Sequence, residues 1–144
     1  MSRPVPVPTE LTEPFWAAAR QGKLVVPQCS DCGLRFFVPE PACPGCLSRS
    51  WTYQPSSGSG TVYSVTVVHR APGPGFEVPF ALAVVDLDDG ATMLSHVVGT
   101  DPEQVAIGMR VSVDFRALTD EITLPYFTPN VLAESVNLEH TSSL

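Results

Sequence analysis

The sequence predicts a mainly β chain, in which an N-terminal helix and a metal-stapled ribbon precede a five-stranded OB-fold barrel with one short helix. Three observations predict it. Two Cys-x-x-Cys pairs, Cys29/Cys32 and Cys43/Cys46, hold all four cysteines of the 144 residues. A Ser- and Gly-rich run over 56–60 separates them from the rest. Beyond that run come three Val-, Thr- and Tyr-rich strand signals, one short helix signal and two more strands, which is OB element order.

Prolines at 4, 6 and 8 make residues 1–9 an extended arm. A helix then completes a first segment, 1–22. Thr12 is placed to cap it, Pro14 falls in the first turn where a missing N–H costs little, and Leu11 can staple onto Trp16. Phe15 and Ala19 share one face, and Gly22 ends the helix. Packing accounts for these aromatics better than ligand contact does. The ribbon occupies 23–55. Residues 23–28 read as a strand entering the first cysteine pair, 34–38 as a strand leaving it, and 51–53 as a third short strand, with Pro39 and Pro41 turning the chain between.

Cys29-Ser30-Asp31-Cys32 and Cys43-Pro44-Gly45-Cys46 stand ten residues apart. Knuckles this close match a structural tetrathiolate zinc site, each giving two thiolates to one tetrahedral ion. Gly33 and Gly45 support this, since each lets the backbone turn tightly beside the sulfurs. Two disulfides would need an oxidising compartment, to which nothing directs the chain. A thioredoxin-like pair would use one Cys-x-x-Cys at a helix start. Tetrahedral sulfur also suits rubredoxin-type iron, and spacing does not separate the two metals. A closed four-sulfur zinc site staples structure and does not catalyse.

The composition of 56–60 marks a flexible boundary, and the barrel is expected over 60–130. Its strands read as 61–69, 80–87, 92–98, 110–116 and 122–127. A long Pro- and Gly-rich loop fills 72–79, and Asp88-Asp89-Gly90 signals a hairpin. Thr100-Asp101-Pro102-Glu103 has capping-box form and opens a short helix that Gly108 closes. That helix is expected to plug the barrel's end. Residues 131–144 turn polar and read as a partly ordered tail.

Charge argues against one class of partner. Residues 1–75 carry a formal +2 and residues 76–144 a formal −9, giving −7 overall. Nucleic-acid binders need a basic face to neutralise phosphates, and this chain has none to spare. Hydrophobic content of 44% lets the chain fold. No apolar run reaches the length of a membrane span, and the N-terminus lacks a signal peptide's apolar core, so a cytoplasmic protein with no membrane partner is expected.

The order of Phe15-Trp16, the two cysteine knuckles, Gly60-Thr61-Val62-Tyr63-Ser64, residues 108–113 and residues 124–129 resembles a known family. This is the zinc-ribbon/OB-fold acyl-CoA-associated family, first catalogued as a domain of unknown function with a rubredoxin-like zinc ribbon. The resemblance covers roughly 10–130. It implies a small stand-alone accessory subunit in a hetero-oligomer, docked on a thiolase or thiolase-like aldolase in lipid, sterol or aromatic degradation. It also implies a shared acyl-CoA ligand, held at the entrance to the partner's active site.

Catalysis by this chain alone finds little support. The cysteines are committed to metal, and the three histidines, His69, His96 and His140, stand apart in sequence. A lone strand histidine is more often packed or at the surface. Asp86, Asp88 and Asp89 suit a solvated turn better than a cation site. For a CoA ester, Arg35, Arg49 and Arg70 are the basic residues near the ribbon–barrel junction, and Phe76, Phe80, Tyr126 and Phe127 are candidate walls. Apolar residues in the arm, in 72–79 and in 124–129 point to a docking patch. The rival functions are a nucleic-acid-binding ribbon/OB protein and a rubredoxin-like electron carrier.

Overall fold

The computed structural model describes residues 3–130. Helix α1 runs Glu13–Arg20, and two strands, β1 (Val25–Cys29) and β2 (Trp51–Pro55), pair antiparallel from Val25↔Pro55 to Cys29↔Trp51. Five more strands follow: β3 (Ser59–Val68), β4 (Phe80–Leu87), β5 (Thr92–Val97), β6 (Arg110–Ala117) and β7 (Thr123–Pro129). They close into a barrel in the order β3-β4-β5-β7-β6, the OB arrangement expected from their sequence order.

Alternation decides which residues enter the barrel. Ala81, Ala83, Val85 and Leu87 of β4 point inward, as do Met93 and Val97 of β5 and Phe127 of β7. Phe127 is fully buried, so it belongs to the core and is no wall for a ligand. A register shift between Val62 and Ser64 places a bulge at Tyr63, leaving that ring 65% exposed. Helix α1 packs on β1 and β7 through Phe15 and Ala19, and Phe15, Leu24 and Val26 share one core with the barrel.

Local chemistry departs from the sequence reading at several places. Thr12 makes no side-chain cap; Thr9 and Thr12 instead bond each other, and the Thr9 carbonyl accepts from Glu13 N–H at 2.8 Å. Gly22, with φ +73, closes the helix through Gly22 N–H to the Ala19 carbonyl and Lys23 N–H to the Ala18 carbonyl, as expected. Residues 34–38 form no strand and pair with β1 only at a Gln28↔Arg35 bridge. Their two phenylalanines part company: Phe36 packs on Trp51 at 5.7 Å inside the ribbon, and Phe37 on Phe15 at 5.2 Å in the main core.

The expected plug helix is a single 3-10 turn, Pro102–Gln104, capped by Asp101 rather than Thr100 and burying none of its own residues. Val105, just after it, enters the barrel core in its place. Residues 124–129 lie in β7, not in a loop, and Leu124 and Pro125 line an apolar groove from that strand.

The run over 56–60 is a fixed joint. Ser56 hydroxyl and Ser57 N–H both donate to Asp89, at 3.1 and 2.8 Å, and Val113 N–H donates to the Gly58 carbonyl. Gly58 holds φ +76 with a prospective Cβ only 2.4 Å from Val113 Cγ1, so the chain passes too close for any side chain. Within the barrel, Asp88 makes a bidentate pair to Arg110 at 2.6 and 2.7 Å, which holds the Asp88 carboxyl below its usual range. Asp86 and Asp88 stay exposed, as a solvated turn predicts, while Asp89 bolts the ribbon to the barrel. The tail expected at 131–144, with His140, lies outside the described residues.

Candidate functional site

The structure brings the four cysteines together. Cys29 Sγ lies 3.6 Å from Cys46 Sγ, Cys32 Sγ lies 3.6 Å from Cys43 Sγ, and all four sulfurs fall within 4.8 Å of one another. A tetrahedral ion with bonds of about 2.3 Å to sulfur sets sulfurs about 3.8 Å apart, so this donor set fits one such ion. Each knuckle is built alike. Cys29 N–H donates to the Leu34 carbonyl and Gly33 N–H to the Cys29 carbonyl; Cys43 N–H donates to the Ser48 carbonyl and Leu47 N–H to the Cys43 carbonyl. Ser48 hydroxyl also donates to Asp31, tying one knuckle to the other.

The left-handed position of the first knuckle is Gly33, at φ +78, and its counterpart in the second is Leu47, at φ +66. Gly45 serves by its size, as expected of a position where a Cβ would hinder the turn: a Cβ there would sit 2.9 Å from Leu34 Cδ2. Peptide N–H groups point at sulfur, from Cys32 to Cys29 Sγ at 3.5 Å and from Gly45 to Cys43 Sγ at 3.4 Å. Crowded thiols titrate apart. The N–H of Cys32 leads in drawing the Cys29 thiol down to about 6. Ser48 N–H pulls Cys46 the same way, but the Cys29 and Cys32 thiols and burial together push it up to about 12. Four thiolates this close need a cation to coexist.

The seven residues considered for a CoA ester do not converge. Arg35 donates to the Pro55 carbonyl at 2.9 Å and lies 3.8 Å from Asp89, so it braces the ribbon–barrel joint. Arg49 sits exposed after the second knuckle, and Arg70 exposed past the end of β3. Phe76, Phe80 and Tyr126 do come together. Phe80, His96 and Tyr126 stand on the outward face of β4, β5 and β7, with ring centroids 4.4 Å and then 4.8 Å apart and planes within 11°. Phe76 extends the row from the β3–β4 loop, 6.1 Å from Phe80. Arg3 lies over Phe76 at 4.6 Å and 5.9 Å from the Tyr126 ring centre.

Beside this row runs a groove of about 500 Å³, which Arg3, Glu77 and Arg116 also line. Burial, aided by the charge of Arg3, pushes His96 below its usual pKa and keeps it neutral. Sequence reasoning missed Arg3, His96 and Arg116 as groove residues. The outward parity of Phe80, His96 and Tyr126 was available as a signal, but the reach of the arm was not. His69 is exposed 3.5 Å from Glu103, and among the described residues no histidine faces a nucleophile. Among them, too, no helix is long and apolar enough to cross a membrane.

Comparison with known proteins agrees with this architecture. Residues 16–52 match the family described as ChsH2, rubredoxin-like zinc ribbon domain, and residues 53–116 match ChsH2, C-terminal OB-fold domain. A DUF35 domain-containing scaffold protein of Methanocaldococcus jannaschii is 35% identical over 101 residues, covering 68% of this chain and 71% of that protein. The chain belongs to the DUF35 family. A relative in Thermomonospora curvata named "Probable enoyl-CoA hydratase alpha subunit" is 40% identical over 121 residues. Those residues are 83% of this DUF35 chain but 38% of that relative, so the chain spans well under half its length. Among solved structures, the Ltp2-ChsH2(DUF35) aldolase is similar with a TM-score of 0.78 and 36% identity, over 87% of this chain and 98% of that one.

Proposed function

We propose that this chain is a non-catalytic accessory subunit that docks on and stabilises an enzyme acting on acyl-CoA substrates, and that the enzyme has a thiolase fold, as a thiolase or a retro-aldolase. The observation that carries this reading is the likeness over 98% of a chain of the Ltp2-ChsH2(DUF35) aldolase. The chemistry of the chain agrees. The cysteines face one another, His96 is stacked between rings, and no described residue pairs a nucleophile with an oriented base. In this reading Cys29, Cys32, Cys43 and Cys46 hold one structural Zn²⁺, which fixes the ribbon and takes no part in the reaction. A CoA ester shared with the partner would meet the Phe76, Phe80 and Tyr126 side of the barrel.

The docking face we favour is the apolar groove of about 390 Å³ where the ribbon meets the barrel. Trp16, Phe37 and Leu124 line it, and Val38 and Leu94 stand at its edge 62% and 64% exposed. Exposed apolar side chains around a groove are the composition of an interface core.

Co-expression with thiolase-fold proteins encoded beside it, followed by copurification and size measurement, tests the reading. A stable hetero-oligomer that Val38→Asp and Leu94→Asp abolish is expected. Failure to form a complex with any of them, or turnover of a CoA thioester by the purified chain alone, would sink it. The metal is tested separately: colourless protein carrying one zinc per chain is expected, whereas a red protein absorbing in the visible would assign iron.

A further inference from the structure

The aromatic row and its arginines carry more than the subunit reading needs. Phe80, His96 and Tyr126 spend their ring faces on one another, and Arg3 covers the free side of Phe76. The edges of rings stacked in this way carry the positive end of the aromatic quadrupole. Two guanidinium groups, Arg3 and Arg116, line the same space. Arg116 shares Asp114 at 3.0 Å, but among the described residues no carboxylate pairs with Arg3. The Arg3 Nε and the Tyr126 hydroxyl are both buried with no hydrogen-bond partner. Buried donors are nearly always satisfied, and two orphans at one groove, beside two cations, point to an acceptor that a ligand supplies.

We propose that this groove binds a phosphate-class anion, with Arg3 and Arg116 supplying the charge and the Tyr126 hydroxyl donating a hydrogen bond. The assignment rests on the acyl-CoA reading above, because the pyrophosphate of a CoA ester is one source of that anion; free pyrophosphate is another. It moves the anion contact away from Arg35, Arg49 and Arg70, which the fold disperses. Neutral His96 adds no charge to the groove, so the positive charge there comes from the two arginines. Glu77, exposed on the rim, is the carboxylate that opposes the anion and limits its affinity. Single-stranded nucleic acid also brings phosphates to OB barrels, but it stacks bases on open aromatic faces, and here those faces are already covered.

Titration calorimetry of the full metal-loaded chain with pyrophosphate, ADP, CoA and oligothymidine of increasing length tests the groove. Saturable binding of pyrophosphate, ADP and CoA is expected. Arg3→Gln and Arg116→Gln should each weaken it about tenfold, the effect of losing one charged hydrogen bond. Tyr126→Phe should weaken it severalfold, and Glu77→Gln should tighten it. CoA binding above pyrophosphate would identify the nucleotide as the source, and equal binding would identify phosphate alone; both uphold the site. No saturable binding at millimolar ligand overturns the proposal, as do arginine variants that bind like the parent. Affinity for oligothymidine that climbs with length reassigns the groove to nucleic acid. Arg3 lies in the arm, ahead of every helix and strand, so its variant keeps the fold and an unchanged melting curve certifies the result. Copurification of the same variants separates the two readings: a chain that binds its enzyme but no anion loses only this groove, and one that binds the anion but no enzyme loses only the subunit role.

Discussion

Ribbon and barrel are held by different forces, although one chain builds both. The barrel closes five strands around an interior that runs from Val62 to Phe127, nearly all of it excluded from water. The ribbon has two strands and an interior of Cys29, Phe36 and Cys43, with Trp51 against them. A two-stranded sheet with so little apolar burial is marginal in water. The lesson is that the barrel can be stable on hydrophobic burial alone, whereas the ribbon needs a crosslink at its far end. At its near end it leans on the barrel, since Leu24 and Val26 belong to the barrel's core.

The sharpest way to break that contrast is to remove the ion. Chelation, or Cys43→Ser, is expected to release residues 30–50 while β3 to β7 stay folded. Structural zinc contributes about 10–16 kcal/mol in small finger peptides, far more than the ribbon's own core could replace. Amide exchange followed by mass spectrometry reads this directly. Protection lost from both knuckles and kept in the barrel upholds the division; loss from both halves together would show a single cooperative unit.

The converse experiment attacks the barrel. Phe127→Ala opens a cavity at a fully buried ring that sits at the closing register, opposite Val97 and Val113. A loss of about 3–5 kcal/mol is expected, read as a lower midpoint in denaturant melts. Because the knuckles draw none of their packing from Phe127, metal content should be unchanged wherever the chain is still folded.

What the sequence made legible follows the same division. Cysteine spacing announced the ribbon, because four like ligands at that interval have one common use. Strand alternation announced the barrel, because period-two burial is a local property. Contacts between the two halves were not legible. Residues 34–38 form an apolar run without a period, and only the folded chain shows that Phe36 serves one core and Phe37 the other. Residues 56–60 have the composition of a linker, and they become rigid only because Asp89 arrives from a hairpin more than thirty residues on. Arg35 looked free for a ligand for the same reason: its partner, Asp89, is distant in sequence. The anion groove depends on an arm that crosses to β7, which no local pattern encodes.

That joint is where the two halves can be pried apart. Gly58→Ala combines φ +76 with a Cβ 2.4 Å from Val113 Cγ1, a β-branched neighbour with little room to turn aside. A cost of about 1–3 kcal/mol is expected, the range for backbone held in a region that side chains avoid. Differential scanning calorimetry would show more than a lower midpoint: the single transition should split if the joint couples the halves. A variant as stable as the parent would mean that the loop yields and that the hydrogen bonds to Asp89 hold nothing.

The smallest effect lies inside the ribbon and compares its two knuckles. Both place one residue in the left-handed region, at Gly33 and at Leu47, and both close it with the same hydrogen bond to the carbonyl of the knuckle's first cysteine, Cys29 or Cys43. A Cβ at Gly33 meets nothing within 4 Å, so Gly33→Ala isolates the conformational penalty, about 1–2 kcal/mol. Leu47 already bears that penalty while its side chain is 77% exposed, so packing in the free chain does not offset it. Leu47→Gly should therefore stabilise the metal-loaded chain by about 0.5–1 kcal/mol, the left-handed gain less the added freedom of glycine in the unfolded state. Denaturant melts on the pair of variants give opposite signs if the knuckles are equivalent. An exposed leucine kept in a strained position is also a contact waiting for a partner. If Leu47→Gly melts later than the parent yet copurifies less of the enzyme subunit, the second knuckle differs from the first because it faces another protein.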